Sequence, residues 1–400
     1  MHLGHGFPIA GQPEPAPWYE PFMIAICATM LLSALQQKPS DPFESRRPES
    51  RERLLERGGG SQETEAAVRK ALEWLAKNQK PDHSWEAPEE DYTVGVTALA
   101  LLAFLGAGHG PKSESFGEPV RRGMKYLLSA QDREGCIGSR GEKYMYGHIL
   151  ATFALAEAHG MSSPETYGKA AQRAVDFLVS ARNKEKAWRY AHQGGDNDTS
   201  VTTWAVMALR AAERTELAFP KSVYEGALAW YDEVTDQTGR AGYLHRGPIH
   251  VQIPGVDADF EWHTTTTAME LYGRWLMIRR RPKERLEAAI PLLTRDPPKT
   301  EKNAVDFCYW HFASLAIFSL KGPDSAEWKA WNEALKSALL KTQEAAGSWE
   351  PNDRWSTHVK SRVYATAINT KGQIAGSLGP WLDAQGEELD FLGGFCSIKT

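Results

Sequence analysis

Three short stretches contain side chains that could do chemistry. Two are acidic, GGDNDTSV at residues 194–201 and VDADFEWH at residues 256–263. The third, VDFCYWHF at residues 305–312, combines an aspartate with a cysteine and a histidine. A carboxylate in such a stretch can hold a proton in an apolar pocket, bind a cation or cap a helix. The residue types alone leave these roles open.

The first acidic stretch runs directly into an apolar helix rich in Thr and Ala. Asp198 or Thr199 is expected to cap this helix, and Asp196 is expected to complement the helix dipole. We favour this interpretation because helix caps are common and catalytic acids are rare. Asp196 and Asp198 are the candidate catalytic acids of the alternative interpretation.

The second acidic stretch contains three carboxylates, Asp257, Asp259 and Glu261, followed by His263. Like charges clustered beside a low-dielectric cavity can raise a pKa or bind a cation. Asp257 and Asp259 are therefore also candidate catalytic residues. The simpler interpretation, which we favour, is a polar loop that ends in a threonine cap.

The elements around these stretches form a repeat. An amphipathic helix pattern recurs about every 52 residues, with an aromatic residue at the equivalent positions Trp74, Tyr126, Phe177 and Trp230. This spacing lies just beyond the usual range of helical repeats. The last copy contains QEAAGSW at residues 343–349, a Q-x-x-x-G-x-W arrangement, and the fifth copy is degenerate.

Each amphipathic helix is followed by a helix of small or apolar residues, such as TVGVTALALLAFLGAG from Thr93. A helix that is apolar on nearly every face must be buried, whereas an amphipathic helix needs only one covered face. Short links make the two helices of a pair antiparallel neighbours. The sequence therefore predicts an all-α fold, an (α/α)6 toroid of two concentric helical rings with the apolar helix of each pair inside.

With these Q-x-x-x-G-x-W-like elements, residues 62–380 resemble the α/α-toroid proteins, which include the squalene and hopene cyclases and the β subunits of protein prenyltransferases. The segments MYGHILATFALAEAHG, DTSVTTWAVMALRAA and RVYATAIN look most like bacterial toroid proteins that carry the prenyltransferase and squalene-oxidase repeat. The resemblance implies the fold, whereas fold and reaction separate readily.

The resemblance to the cyclases implies a proton donor in a D-x-D-D-T motif, whose middle aspartate protonates an alkene. Asp198 and Thr199 fit the last two positions of this motif, but Asn197 falls where the donor should be. Because an amide cannot supply the proton, a cyclase would have to use Asp196 in a shifted register, or Asp259. Toroid-shaped glycosidases would instead need two separated carboxylates, which the two acidic stretches together could provide.

The resemblance to the prenyltransferases implies a zinc site, made by a D-x-C pair at the start of one inner helix and a histidine near the start of the next. Asp306, Cys308 and His358 match these ligand types, although His358 falls about one turn before the family position relative to Tyr364. His311 is an alternative third ligand, because it shares a helix face with Cys308. Without zinc, Cys308 is expected to be a small buried residue and Asp306 a cap.

Composition narrows the classes of function. The 400 residues are 42% apolar and 24% charged, with a net charge of −5. No basic block lies in the main body, which excludes nucleic acid as the main partner. The four cysteines are widely spaced without a CxxC pair. This spacing indicates neither a disulfide scaffold nor a four-cysteine zinc module.

The chain divides into five predicted segments: an N-terminal tail at 1–20, an apolar segment at 21–35, a linker at 36–62, the toroid domain at 63–380 and a C-terminal tail at 381–400. The apolar segment PFMIAICATMLLSAL is shorter than the roughly 20 residues of a spanning helix. It is a candidate membrane anchor, with a signal sequence and a partner-seeking helix as alternatives. The Lys and Arg residues that follow it would keep the main body on the cytoplasmic side.

Two hypotheses for the function follow. In the first, the toroid binds an extended apolar or peptidic ligand in its central cavity and does not cyclise it, since the donor aspartate is missing. In the second, it is an isoprenoid-processing enzyme, either a divergent cyclase or a zinc-dependent, prenyltransferase-like transferase. The latter would require a helical partner subunit. Zinc is the one cofactor that the sequence suggests, and no protein partner is identified.

Overall fold

The computed structural model describes residues 55, 57–87, 89–141, 143–162, 164–184, 186–247, 264–278, 284–301, 304–353, 356 and 360–378. Several predicted features lie outside these residues, namely the segments at 1–20, 21–35 and 381–400, most of the linker, and Asp257, Asp259 and His358.

The described helices form two sets. The inner helices are α2 (Thr93–Gly106), α4 (Tyr144–Gly160), α6 (Thr199–Arg214), α8 (Thr264–Met277), α11 (Phe307–Lys321) and α13 (Arg362–Leu378). The outer helices are α1 (Gln62–Lys77), α3 (Gly117–Ser129), α5 (Pro164–Ser180), α7 (Ser222–Val234), the short α9 (Glu284–Glu287) and α10 (Ile290–Thr294), and α12 (Ala326–Thr342). One 3-10 helix lies at Glu90–Tyr92, and the β structure of the described residues consists of isolated bridges.

The inner helices close into a ring. Each contacts the next, from α2 through α4, α6, α8 and α11 to α13, and α13 contacts α2 again. The outer helices pack against this ring, as α5 does against α4 and α12 against α11 and α13. The predicted all-α toroid is confirmed. The degenerate fifth copy of the repeat corresponds to the two short helices α9 and α10.

Burial follows the predicted difference between the two sets. In α2, every residue except Thr93 and Gly95 is buried. In α3, the buried residues are Gly117, Val120, Gly123, Met124 and Leu127, which recur every three or four positions along one face. The helix that is apolar on all faces thus lies in the inner ring, and the amphipathic helix lies in the outer ring, as their patterns require.

The Q-x-x-x-G-x-W turns join neighbouring repeats. Gln343 Nε2 donates to the carbonyl oxygen of Gly347 (2.9 Å) and to that of Ala67 in α1 (2.8 Å), so this glutamine links the last repeat to the first. Gly347 has φ +99°, and a Cβ there would lie 2.3 Å from the Lys70 carbonyl oxygen. Only glycine combines this backbone conformation with such a close approach.

A second set of hydrogen bonds ties each turn to its inner helix. The backbone N–H of Trp349 donates to the Thr366 hydroxyl (3.3 Å), and that of Ile137 donates to His148 Nδ1 (3.1 Å). Burial lowers the pKa of His148 to about 3, so its imidazole is neutral and accepts this bond. His148 is therefore a structural residue of the inner ring.

None of the described helices has both the length and the apolarity that a bilayer-spanning helix needs.

Candidate functional site: a chamber at the amino-terminal end of the inner helices

The first residues of the inner helices meet at one end of the ring. The backbone N–H of Thr199, which begins α6, donates to the carbonyl oxygen of Tyr243 in the segment before α8 (3.1 Å). The Thr265 hydroxyl at the start of α8 donates to Asp306, which precedes α11 (3.3 Å). Because the inner helices start together, the positive ends of their dipoles share this end of the ring.

Asp198 caps α6, as predicted, and its side chain is completely buried. Its Oδ1 accepts hydrogen bonds from the Val201 backbone N–H (2.7 Å) and the Ser200 hydroxyl (3.1 Å). Its Oδ2 is also buried, with Arg189 Nε 3.9 Å away and the Tyr243 hydroxyl acting on the same carboxyl group.

Burial raises the pKa of Asp198 from its ordinary 3.8 to about 6. The hydrogen bonds from Val201 and Ser200 and the charge of Arg189 act in the opposite direction and are outweighed. The carboxyl group that caps α6 is therefore also a buried acid that exchanges its proton near pH 6.

Asp196, the other acid of this stretch, lies at the rim. Its side chain is 75% exposed, and Arg189 Nη1 binds it at 2.8 Å. Asn197, at the position where a cyclase would carry its proton donor, is partly buried and receives a hydrogen bond from Asn183 Nδ2 (3.5 Å). The structure thus brings Asp198 into the buried site and leaves Asp196 outside it.

Tyrosine hydroxyls surround Asp198. Tyr146 on α4 hydrogen-bonds with Ser200 through its hydroxyl, and the hydroxyls of Tyr190 and Tyr243 lie 2.5 Å apart. Burial raises the pKa of all three tyrosines, and the charge of Asp198 adds to this increase. At neutral pH these hydroxyls are protonated and can donate hydrogen bonds.

Asp306 and Cys308 lie across the ring from Tyr146. Asp306 caps α11 by accepting the Tyr309 backbone N–H (2.8 Å), and Cys308 follows in the first turn of the helix. Burial, together with the nearby charges of Asp306 and Asp353, raises the pKa of the Cys308 thiol well above its ordinary value. The thiol is therefore protonated at neutral pH.

The predicted zinc site is only partly within the described residues. Asp306 and Cys308 are at the start of one inner helix, as the resemblance implied, and His358 is outside the described residues. No three His, Cys, Asp or Glu side chains of the described residues are grouped so that they could hold a metal ion. His311 therefore does not complete a three-ligand site with Asp306 and Cys308.

A layer of side chains crosses the ring below this end. Trp204 of α6 stacks on His311 of α11, with ring centroids 6.1 Å apart and planes inclined by 16°. Lys371 Nζ of α13 lies 5.7 Å from the centroid of Trp204 and 5.1 Å from that of Phe153 on α4. Because α6 is not next to α11 or α13 in the ring, these contacts span its interior.

The space above this layer is a chamber that solvent reaches. Tyr146 and Leu150 on α4 and Tyr364 on α13 are partly exposed, although the inner ring surrounds them. Tyr364 and Lys371 are seven residues apart, so they share one face of α13 and are separated by about 10 Å along the helix. Along α13, about 10 Å therefore separates Tyr364, near the helix starts, from the layer that contains Lys371.

Sequence reasoning missed several residues of this chamber. Tyr190 and Tyr243 come from turns between helices, which periodicity does not assign to a site. Lys371 stands in AINTKGQIAG and is the one charged residue of α13 after Arg362. Since a lysine is almost never fully buried without a reason, this residue was a usable signal.

The fold and the chamber define an α/α-toroid protein with a buried acid at one end of its ring. Residues 88–239 match the family model of the squalene–hopene cyclase C-terminal domain. A squalene–hopene cyclase of Bradyrhizobium diazoefficiens is 26% identical over 181 residues, which are 37% of this chain and 26% of that protein. A probable squalene–hopene cyclase of Sinorhizobium fredii is 27% identical over 194 residues, which are 40% of this chain and 29% of that protein. These matches span little more than a quarter of the relatives' length.

Solved structures with a similar fold include two kinds of enzyme. A variant of the type II terpene cyclase MstE from Scytonema, in complex with its product merosterolic acid A, has a TM-score of 0.52 and 14% identity, covering 79% of this chain and 98% of that one. A variant of an α-1,6-mannanase from a Salegentibacter species, in complex with α-1,6-mannotetrose, has a TM-score of 0.56 and 12% identity, covering 78% and 100%. At these identities the likeness shows the fold alone. The family model matches less than half of this chain, so the comparisons show a likeness to the squalene–hopene cyclase C-terminal domain and a shared α/α-toroid fold.

Proposed function

We propose that the protein binds one end of an extended, isoprenoid-like apolar ligand in the chamber and does not cyclise it. The terpene-cyclase-like fold and the aromatic layer beneath the chamber support an apolar ligand. The observation that carries the proposal is Lys371, whose side chain is 1% exposed and whose ammonium group lies within the ring.

A fixed ammonium group opposes the chemistry of a cyclase. Cyclisation passes through carbocations, and a carbocation about 7 Å from Lys371 would be destabilised by about 2 kcal/mol at an effective dielectric constant near 20. Aromatic faces stabilise such cations. Here the faces of Trp204 and Phe153 already contact the ammonium group. The site is therefore better suited to binding than to cyclisation.

Titration calorimetry of the full chain with C20 and C30 isoprenoid alcohols tests this proposal. Trp204→Leu should weaken binding at least fivefold, because it removes part of the chamber's aromatic floor. Trp230→Leu is a matched control, since Trp230 is also 6% exposed but belongs to the outer helix α7. Equal loss of affinity in the two variants, or no binding by the wild-type protein of either the alcohols or the isoprenoid carboxylate of the same chain length, would contradict a ligand site in the chamber.

A second function has one specific observation in its favour. Asp198 is a buried acid with a raised pKa, and an acid of this kind is what alkene protonation needs. If the protein is a divergent cyclase, the isolated chain should convert squalene or a C20 polyprenyl substrate into cyclic products detectable by mass spectrometry. Asp198→Asn should abolish this conversion, whereas Asp196→Asn should retain it. Absence of cyclic products from the wild-type protein with these substrates would leave binding as the supported function.

A further inference from the structure

The layer beneath the chamber contains two polar groups in aromatic surroundings. Lys371 presents its ammonium group to Phe153 and Trp204, and His311 stacks on the same Trp204 ring. Both side chains lie against the Trp204 ring, and the charge of Lys371 adds to burial in lowering the pKa of His311.

The imidazole of His311 is buried, and its hydrogen-bonding capacity is not used by the described residues. Its side chain is 2% exposed, and neither ring nitrogen has a hydrogen-bond partner among the described residues. Burial and the neighbouring Lys371 hold the pKa of His311 well below its ordinary value, so the imidazole is neutral at neutral pH. A neutral imidazole has one N–H donor and one acceptor nitrogen. Buried polar groups are normally satisfied, so this ring points to an external partner.

We propose that the ligand carries an anionic head group, which lies on the floor of the chamber and accepts hydrogen bonds from the Lys371 ammonium and the His311 N–H. This inference rests on the proposed ligand-binding function and specifies the class of ligand. The same contacts suit a carboxylate or a phosphate, since both offer anionic oxygen acceptors to charged and neutral donors.

The walls of the chamber fit the rest of such a molecule. Above the floor, Leu150 provides apolar surface, and Tyr146 and Tyr364 provide aromatic rings that are partly open to solvent. The hydroxyls of Tyr146 and Tyr364 stay protonated, because burial raises the pKa of both. An apolar chain that leaves the floor therefore passes Leu150 and these two uncharged tyrosines, and it meets the carboxyl groups of Asp198 and Asp306 only at the helix starts.

The test uses three probes that share one C20 isoprenoid chain and end in a carboxylate, a monophosphate or a hydroxyl. Binding to the full-length protein is measured by titration calorimetry at pH 8, where the carboxylate and the phosphate are ionised. We expect one or both anionic probes to bind at least tenfold more tightly than the alcohol, and the tighter of the two identifies the head group. Lys371→Met should reduce this preference to below threefold, and His311→Phe should reduce it by at least half.

Lys321→Met is the control for the change in net charge, because Lys321, the last residue of α11, pairs with Glu287 of α9 and Glu327 of α12. It should leave the preference for the anionic probe intact. Equal affinity of the wild-type protein for all three probes would overturn the inference while leaving apolar ligand binding in place. Binding of none of the probes would overturn both. The wild-type comparison decides the matter even if Lys371→Met fails to fold.

Discussion

Asp198 makes a quantitative prediction about pH and stability. Its folded-state pKa of about 6 lies above the ordinary 3.8, so the folded protein binds more protons than the unfolded chain between these values. The resulting stabilisation is present at low pH and is lost as the pH rises through about 6. For these two values, the linkage relation gives a loss of about 2 kcal/mol between pH 4.5 and pH 7 from this one group.

Asp198→Asn removes the titration and keeps a side chain that can cap α6. Urea unfolding followed by tryptophan fluorescence, at pH 4.5 and pH 7, gives the free energy of unfolding of each protein. The wild-type protein should lose about 2 kcal/mol more than the variant over this interval. Because the change in the free energy of unfolding is compared between the two proteins, the contributions of the titrating groups that both proteins share cancel.

Asp196→Asn is the matched control, since it removes an exposed carboxylate from the same loop. If Asp198→Asn leaves the pH dependence unchanged, or if Asp196→Asn changes it by the same amount, burial of Asp198 is not the cause and the reasoning fails.

Three further predictions concern the ring and the zinc hypothesis. Gln343→Ala should lower the free energy of unfolding by about 1–3 kcal/mol, because it removes the two hydrogen bonds that this amide donates to Gly347 and Ala67; a change near zero in urea unfolding would contradict the role of this side chain in ring closure. Gly347→Ala should destabilise the protein by at least 1 kcal/mol more than Gly195→Ala, because both positions have positive φ but only the former has a carbonyl oxygen 2.3 Å from the new Cβ; equal melting temperatures would refute the predicted clash. The zinc hypothesis predicts about one zinc per chain by elemental analysis of the purified protein, lost in Cys308→Ser, and a folded protein without zinc would exclude it.

The fold could be predicted from the sequence because the spacing of apolar residues that encodes it is periodic. The contrast between a one-sided helix such as α3 and an all-round apolar helix such as α2 determines which helix is inside. The cap at Asp198 was equally local, since an acid before an apolar helix needs only its own neighbours to be interpreted.

The chamber could not be predicted in the same way, because it depends on contacts between helices that are far apart in sequence. Periodicity shows that Trp204 and Lys371 are on buried faces, but it does not give the rotation of α6 relative to α13 that brings them together. Asp198 illustrates the same limit, since its burial depends on Tyr146 and Tyr243, which come from other repeats. The sequence shows that Asn197 stands where a cyclase would have its proton donor. It does not show that burial raises the pKa of the neighbouring Asp198.

The hydrogen bond between Gln343 and Ala67 has a consequence for folding kinetics and for engineering. It joins residues 276 positions apart, so the ring can close only after the entropy of a very long loop has been overcome. Closure is therefore expected to be a late, slow and cooperative step of folding. An open solenoid can gain or lose a repeat and needs polar capping repeats at its ends. A closed ring has no ends to cap. An inserted or deleted hairpin would prevent Gln343 and Ala67 from meeting, so we expect insertions and deletions to be tolerated only in the links between helices.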